Sequence, residues 1–499
     1  MSDLDAELDR RVTSYRRTRE QVERTILPLA TSVEGARFTF QASLHGLQLR
    51  RGGYVALESD DGGAVRLGLI TDIAAERVRS ETAEGAGAVE LQLARGSGIV
   101  VDSDGRPFHE AAVRPATAAE VGSWLERSRS PRSTLLVGEL LHAPGVPAGL
   151  DAGGLGRHTF FCGQSGSGKT YALGGLLEQV LLGTSLPVIV LDPNSDYVGL
   201  GRVRPGTAPE VAARYGSVAG GVAVWRDDTA ADHPLRLAFA DLTPAVQAAV
   251  LGLDPLADRE EYAALTDLLH RRRAGEALVE PDELLRTEDP AGHRLGQRAA
   301  NLGVLDWHLW SPTLPSLVEE LRRPTARCTV VDLGSLATAG EQRLVAAAVL
   351  TTLWDLRTRR EPFLVVVDEA HNVGPAQPPD ELSGLSAGAL VQIAAEGRKY
   401  GLYLLLSTQR PHKLDENVVS QCDNLVLMRM SSEADLRDIG RLLSFVPSGL
   451  LVGATAFHLG EALVAGRLLR HPAYLKVGPR ISEEGGADVP ATWAVPPVA

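Results

Sequence analysis

The sequence predicts an α/β fold whose core is a parallel sheet covered by helices on both faces, and three observations carry that reading. Five continuous apolar runs, 187–192, 327–333, 363–368, 402–408 and 425–429, alternate with helical stretches. Uninterrupted apolar strands of this kind are buried on both faces, which is the habit of parallel sheets. Residues 163–170 read Gly-Gln-Ser-Gly-Ser-Gly-Lys-Thr, between a short apolar run at 158–162 and an apolar-striped helix from Tyr171 to Leu182. From about Phe38 to Val113, by contrast, short alternating stretches are broken by glycine and aspartate, the pattern of a small β-barrel.

The elements follow in order. Residues 1–34 predict a charge-laced N-terminal helix with Leu8, Val12, Tyr15 and Val22 on one face. The barrel takes 35–116, with strands at 53–57, 66–71 and 89–93 separated by turn-rich 59–63 and 84–87. Small and charged residues make 117–150 a linker. The core occupies 151–240 and 322–470, interrupted by a helix-rich, strand-poor insertion at 241–321. Residues 471–499 form a tail rich in proline and glycine, and 372–390 a long loop.

The totals bound the rest. A chain of 499 residues exceeds what one core holds and implies two or three domains. Cys162, Cys328 and Cys422 lie far apart, which excludes a zinc ribbon and fits a reducing compartment. Histidines 371, 412, 458 and 471 have no metal-ligand spacing, and no Ser-His-Asp or Cys-His arrangement supports a nuclease or protease within the chain. The N-terminus alternates charge, unlike a signal peptide. The longest apolar run, 344–353, is half of the roughly 20 residues that cross a bilayer. The expectation is a cytoplasmic protein with no membrane partner. A net charge of −13 disfavours DNA coating the outer surface but leaves room for a locally basic channel.

The octapeptide fits G-x-x-x-x-G-K-[ST] at every fixed position. Gly163, Gly166 and Gly168 let backbone N–H groups close around phosphate oxygens, with Gln164, Ser165 and Ser167 between them and Tyr171 opening the helix. Lys169 reaches the β- and γ-phosphates, and the Thr170 hydroxyl ligates Mg²⁺. The expected cofactors are ATP and Mg²⁺. Asp368 and Glu369 end an apolar strand: the first would hold Mg²⁺ through water, the second polarise an attacking water. Gln409, at the end of the 402–408 run, would sense the γ-phosphate. The string Asp368-Glu-Ala-His371 is shared with DEAH-box helicases, but those carry two nucleotide lobes and this chain shows one. An ABC-type ATPase is excluded by order, since Ser383-Gly384 follows the acidic strand.

Four further strings carry a resemblance: Glu396-Gly-Arg-Lys-Tyr-Gly401, Ser407-Thr-Gln-Arg-Pro411, Asn424 with its strand, and Leu191-Asp-Pro-Asn-Ser-Asp-Tyr197. Together they resemble the HerA family of the FtsK/HerA ATPase superfamily over roughly 35–480. Asn194, Ser195 and Asp196 depart from that family's Asp-Pro-His-Gly-Glu-Tyr segment. The resemblance implies a RecA-like P-loop ATPase core and a homohexameric helicase ring translocating double-stranded DNA. It also implies an effector such as a nuclease or NAD hydrolase docked on the barrel, in DNA end processing or phage defence. Lys169, Thr170, Asp368, Glu369 and Gln409 match the family's site residues. Arg398 matches its arginine finger, Arg157 a second arginine reaching the neighbouring subunit's nucleotide, and Asp192 an acid near the magnesium. The tail resembles a brace laid over an adjacent subunit. An alternative expectation makes the ring an ATP-dependent scaffold that activates a defence effector with little movement on DNA.

Overall fold

The computed structural model describes residues 12–17, 19–20, 22–23, 26–59, 65–81, 88–128, 134–273, 289–311 and 315–486. The first six strands, β1 (Leu29–Ser32), β2 (Arg37–Ser43), β3 (Tyr54–Glu58), β4 (Arg66–Glu81), β5 (Ala88–Val100) and β6 (Phe108–Pro115), close into a barrel of order β1-β2-β5-β4-β3-β6. Strict alternation along β2 sends Phe38 and Phe40 inward, where they meet Val55, Leu57, Ile70 and Val113. The two phenyl rings lie over the neighbouring strand β5, where their paired residues Gly98 and Gly96 have no side chains. At Gly98 a Cβ would lie 2.3 Å from the Phe38 ring, and at Gly96 equally close to Phe40. The helical N-terminal residues lie against this barrel through Tyr15 and Glu23, which accept from the β5 amides of Glu90 and Gln92. Val12, Tyr15 and Val22 remain exposed, and Leu8 lies outside the described residues.

The second sheet has twelve strands. Its members are β7 (Thr134–Leu140), β8 (Pro147–Asp151), β9 (Thr159–Cys162), β10 (Val188–Asp192), β11 (Val222–Arg226), β12 (His233–Pro234), β13 (Cys328–Asp332), β14 (Phe363–Val367), β15 (Leu402–Thr408), β16 (Asn424–Met428), β17 (Glu461–Gly466) and β18 (Ala473–Val477). They run in the order β12-β11-β13-β10-β14-β15-β9-β16-β17-β18-β7-β8. From β12 to β16 every pairing is parallel, and β10, β13, β14 and β16 are buried at every position, as their apolar runs require. From β16 to β8 the pairings are antiparallel, so the sheet is mixed.

Three readings of the sequence need correction. The stretch 117–150 is not a linker. It holds a helix, Ala118–Ser128, that buries Val121 and Trp124, then β7 and β8, whose Leu135, Leu140 and Leu150 enter the main core. Within 372–390, residues from Glu381 onward are the helix Glu381–Glu396, capped by the Asp380 carboxylate on the Ser383 amide. The tail does not begin at 471, because β18 belongs to the sheet. Beyond it, residues 478–486 pack on the helix Lys169–Gly183 of the same chain; residues 487–499 lie outside the described residues. Between β12 and β13 the helices Pro244–Val250, Arg259–Arg273, Pro290–Asn301 and Leu317–Arg322 form the insertion. Among the described residues no helix is long and apolar enough to cross a membrane.

Candidate nucleotide-binding and catalytic site

The phosphate loop connects β9 to the helix Lys169–Gly183 at the C-terminal rim of the parallel strands. Gly166 and Gly168 have φ of 73° and 89°, the left-handed region that a side chain resists. Gly163 is constrained differently: a Cβ there would sit 2.8 Å from Met428 Cβ and from Ser167 Oγ. The loop is held from outside by β16 and the turn before β17. Gln164 N–H donates to Arg429 O at 3.0 Å, Gly460 N–H to Ser167 O at 3.1 Å, and Arg429 Nη2 to Gly166 O at 3.2 Å. The Gln164 side-chain oxygen accepts from the Ser431 amide, while Ser165 stays exposed at the loop tip.

Lys169 is buried and points at the acids. Its Nζ lies 2.8 Å from Asp368 Oδ1, 2.9 Å from Ser407 Oγ and 3.4 Å from Glu369 Oε1. Burial alone would lower its pKa, but the Asp368 and Glu369 carboxylates hold it above the ordinary lysine value. Asp368 is fully buried at the tip of β14, its other oxygen accepting from Tyr197 OH at 3.1 Å. Glu369 has φ 43° and ψ 48°, a strained conformation for a non-glycine residue that turns its carboxylate back over the loop. His371 Nδ1 is 3.2 Å from Glu369 Oε2 and 3.0 Å from Thr408 Oγ1. Burial pushes the Glu369 pKa up, yet His371 and Lys169 outweigh it and keep the carboxyl below its ordinary range. Gln409 follows β15 directly, on the same rim and partly exposed.

Asp192 does not face the loop's threonine. Its carboxylate accepts from the backbone N–H groups of Tyr197 at 2.8 Å and Asp196 at 3.0 Å, closing the turn after β10. The acid nearest Thr170 is Asp196, with Oδ2 at 3.5 Å from Thr170 Oγ1. Burial raises Asp192 to about 7 and Asp196 to about 6; the neighbouring Asp368 adds to the second. A hard divalent cation takes oxygen ligands, often water-bridged, and Thr170, Asp368 and Asp196 supply such a donor set around the loop. The Arg480 amide donates to Tyr171 OH at 2.7 Å, fixing that ring against the tail.

Arg157 and Arg398 are elsewhere. Arg157 precedes β9, and Arg398 lies in the turn Gly397–Tyr400 before β15, so both stand at the N-terminal rim of the sheet. The length of β15, about 20 Å at 3.3 Å per residue, separates them from their own phosphate loop.

Sequence reasoning thus located Lys169, Thr170, Asp368, Glu369 and Gln409 on one rim, and missed Tyr197, His371, Ser407 and Arg429. The signal for His371 is its place two residues after Glu369.

Comparison with known proteins agrees with this construction. Residues 135–295 match the family model described as "Helicase HerA, central domain". The chain is 29% identical over 170 residues to the DNA double-strand break repair helicase HerA of Sulfurisphaera tokodaii, covering 32% of this chain and 34% of that one. It is 23% identical over 398 residues to HerA of Pyrococcus furiosus, covering 68% and 69%. A probable helicase of Methanocaldococcus jannaschii is 30% identical over 26% of this chain and 24% of its own length. Matches to the first two relatives therefore span about a third and a quarter of their lengths. Among solved structures, VirB4 of Thermoanaerobacter pseudethanolicus aligns with a TM-score of 0.47 at 16% identity, over 70% of this chain and 97% of that one. The phosphate loop and acidic strand tip thus stand in a chain that is similar to HerA helicases, with the match to the HerA central domain spanning residues 135–295.

Proposed function

We propose that this chain forms a homohexameric ring that hydrolyses ATP with Mg²⁺ and uses the turnover to move along double-stranded DNA, with each ATP held between two protomers. The observation that carries the reading is the separation of charges across one sheet. The phosphate loop, Asp368, Glu369 and Gln409 share the C-terminal rim, while Arg157 and Arg398 stand at the opposite rim of the same strands. Phosphoryl transfer needs positive charge on the transferring group beyond what the loop and metal supply. Arginines that cannot reach their own site are suited to the next protomer's. In this reading Lys169 leaves the acids for the triphosphate, Thr170 and Asp368 hold the cation, and Glu369, oriented by His371, activates water. Gln409 reports the γ-phosphate to β15.

Mixed rings test the shared site. Lys169→Ala and Arg398→Ala rings alone should each turn over ATP far more slowly than wild type, but rings assembled from both variants regain activity at interfaces pairing an intact loop with an intact arginine. Duplex-stimulated turnover with displacement of a protein roadblock tests movement. A dilute monomer hydrolysing ATP as fast as the assembled particle would sink the proposal, as would mixed rings that stay inactive.

The barrel is the surface we assign to an effector protein such as a nuclease or NAD hydrolase. It has a hydrophobic core of its own, joined to the main core through Tyr54, Leu67 and Leu69, and carries none of the residues of the site. Copurification that survives in a Lys169→Ala ring and is lost when residues 29–115 are removed supports that assignment; the reverse pattern refutes it.

A further inference from the structure

The two arginines meet on one carboxylate. Arg398 Nη1 donates to Asp423 Oδ2 at 2.7 Å, and Arg157 Nη1 reaches the same oxygen at 3.4 Å. The three residues precede β15, β9 and β16, which are adjacent in the sheet, so they stand side by side on its N-terminal rim. The backbone beneath them is pinned. Asn424, fully buried, donates to Gly154 O at 3.0 Å and Thr159 Oγ1 at 3.1 Å, and accepts from the amides of Arg467 and Leu468 at 2.7 and 3.1 Å. The Asp423 amide donates to the carbonyl of buried His158 at 3.1 Å. The Asp423 backbone is therefore fixed, while its side chain is 41% exposed and those of Arg398 and Arg157 are 31% and 47% exposed. One carboxylate neutralises one guanidinium, so the trio carries net positive charge toward the rim.

We propose that Asp423 is the positioning residue for Arg398, holding its guanidinium extended at the subunit edge where the neighbouring protomer's triphosphate would meet it. The inference rests on the shared-site reading above. Ordering a long side chain before the transition state removes that cost from the chemical step. A partly exposed ion pair is weak enough to yield its arginine to a phosphate, and Arg157 remains as counter-ion when it does.

The test uses full-length rings, with steady-state ATP turnover measured in saturating duplex and assembly followed by light scattering. Asp423→Asn keeps the shape and removes the charge. The expected result is an intact ring whose kcat falls about tenfold with KM for ATP changed less than about twofold, the mark of a misplaced group that acts on the reacting centre. Asp423→Glu should recover part of the loss. Arg398→Ala should be slower still, and adding Asp423→Asn to it should cost nothing more. The proposal is overturned if Asp423→Asn leaves kcat intact, dissociates the ring, or slows the Arg398→Ala ring by the factor seen in wild type. An Arg398→Ala ring at full rate refutes the shared site itself; a slow Arg398→Ala ring with an unaffected Asp423→Asn ring refutes the positioning role alone.

Discussion

Replacing Glu178 with alanine should release the C-terminal segment from the phosphate-loop helix without unfolding the core. Glu178 is 1% exposed and Arg480 fully buried. The carboxylate accepts from Ile481 N–H at 2.9 Å, Ser482 N–H at 2.7 Å and Ser482 Oγ at 2.6 Å, with Arg480 Nε at 3.6 Å. Removing one partner of a buried ion pair costs about 3–5 kcal/mol, because the other charge stays desolvated. Here the penalty has an escape. Residues 478–486 can open and rehydrate as a unit, giving up their ties to Tyr171 OH, Val137 O, Asp196 O and the Arg202–Arg204 backbone, the Arg202–Glu483 and Arg204–Glu484 pairs, and the packing of Ile481 on Tyr215 and Ala219. The penalty then appears as an opening constant raised about a hundred- to a thousandfold rather than as lost global stability. Amide hydrogen exchange at Ile481 and Ser482 measures it. Gly174→Ala is an independent perturbation, because a Cβ there would lie 2.4 Å from Arg480 Cζ. Wild-type protection at 481–482 in Glu178→Ala would refute the reasoning, and so would equal deprotection of β10 and β14.

Three further outcomes are expected. Glu369→Gln should lower kcat by about 10²–10⁴-fold, the usual share of a general base, while ATP affinity in equilibrium binding stays near wild type. Arg429→Ala should weaken ATP binding about tenfold by freeing the Gly166 carbonyl from a charged donor, with Arg429→Lys intermediate; an unchanged Kd would show that the loop needs no such support. Acid should destabilise the fold through histidines held neutral. Burial lowers His471 from 6.5 to about 4, so its contribution is complete above pH 6.5 and is lost as pH falls toward 4. At pH 5 the loss from this one residue is about 2 kcal/mol at 1.36 kcal/mol per unit, and His471→Gln should flatten the dependence in denaturant titrations. His158, pushed to about 4 by burial and then by Arg398, adds in the same direction.

The phosphate loop was legible because its requirements are local: glycines at positive φ, a lysine and a hydroxyl at fixed spacing, an apolar strand before and a helix after. The five parallel strands were legible because burial on both faces leaves continuous apolar runs. The antiparallel half of the sheet was not. Its strands are as long as the parallel ones, but β18 pairs Leu475 with Leu140, a partnership no local pattern announces. The linker reading at 117–150 failed for that reason, since Leu135 looks like an ordinary linker residue until the helix Lys169–Gly183 lies against it. Composition marks the proline and glycine of the tail but not that residues 478–486 lie on the helix Lys169–Gly183.

What the sequence determined alone is the chemistry available: the triphosphate cradle, the paired acids and the arginines exist as residue types at fixed spacing. What only tertiary structure decided is which of them meet. Lys169 finds Asp368 across 199 residues, Tyr171 finds Arg480 across 309, and Arg157 and Arg398 converge on Asp423 at the rim opposite the loop. Spacing along a chain constrains only neighbours within a turn or a strand. Strand order in the sheet brings the distant groups together, and it is set by the burial of apolar surface rather than by the residues that do the chemistry.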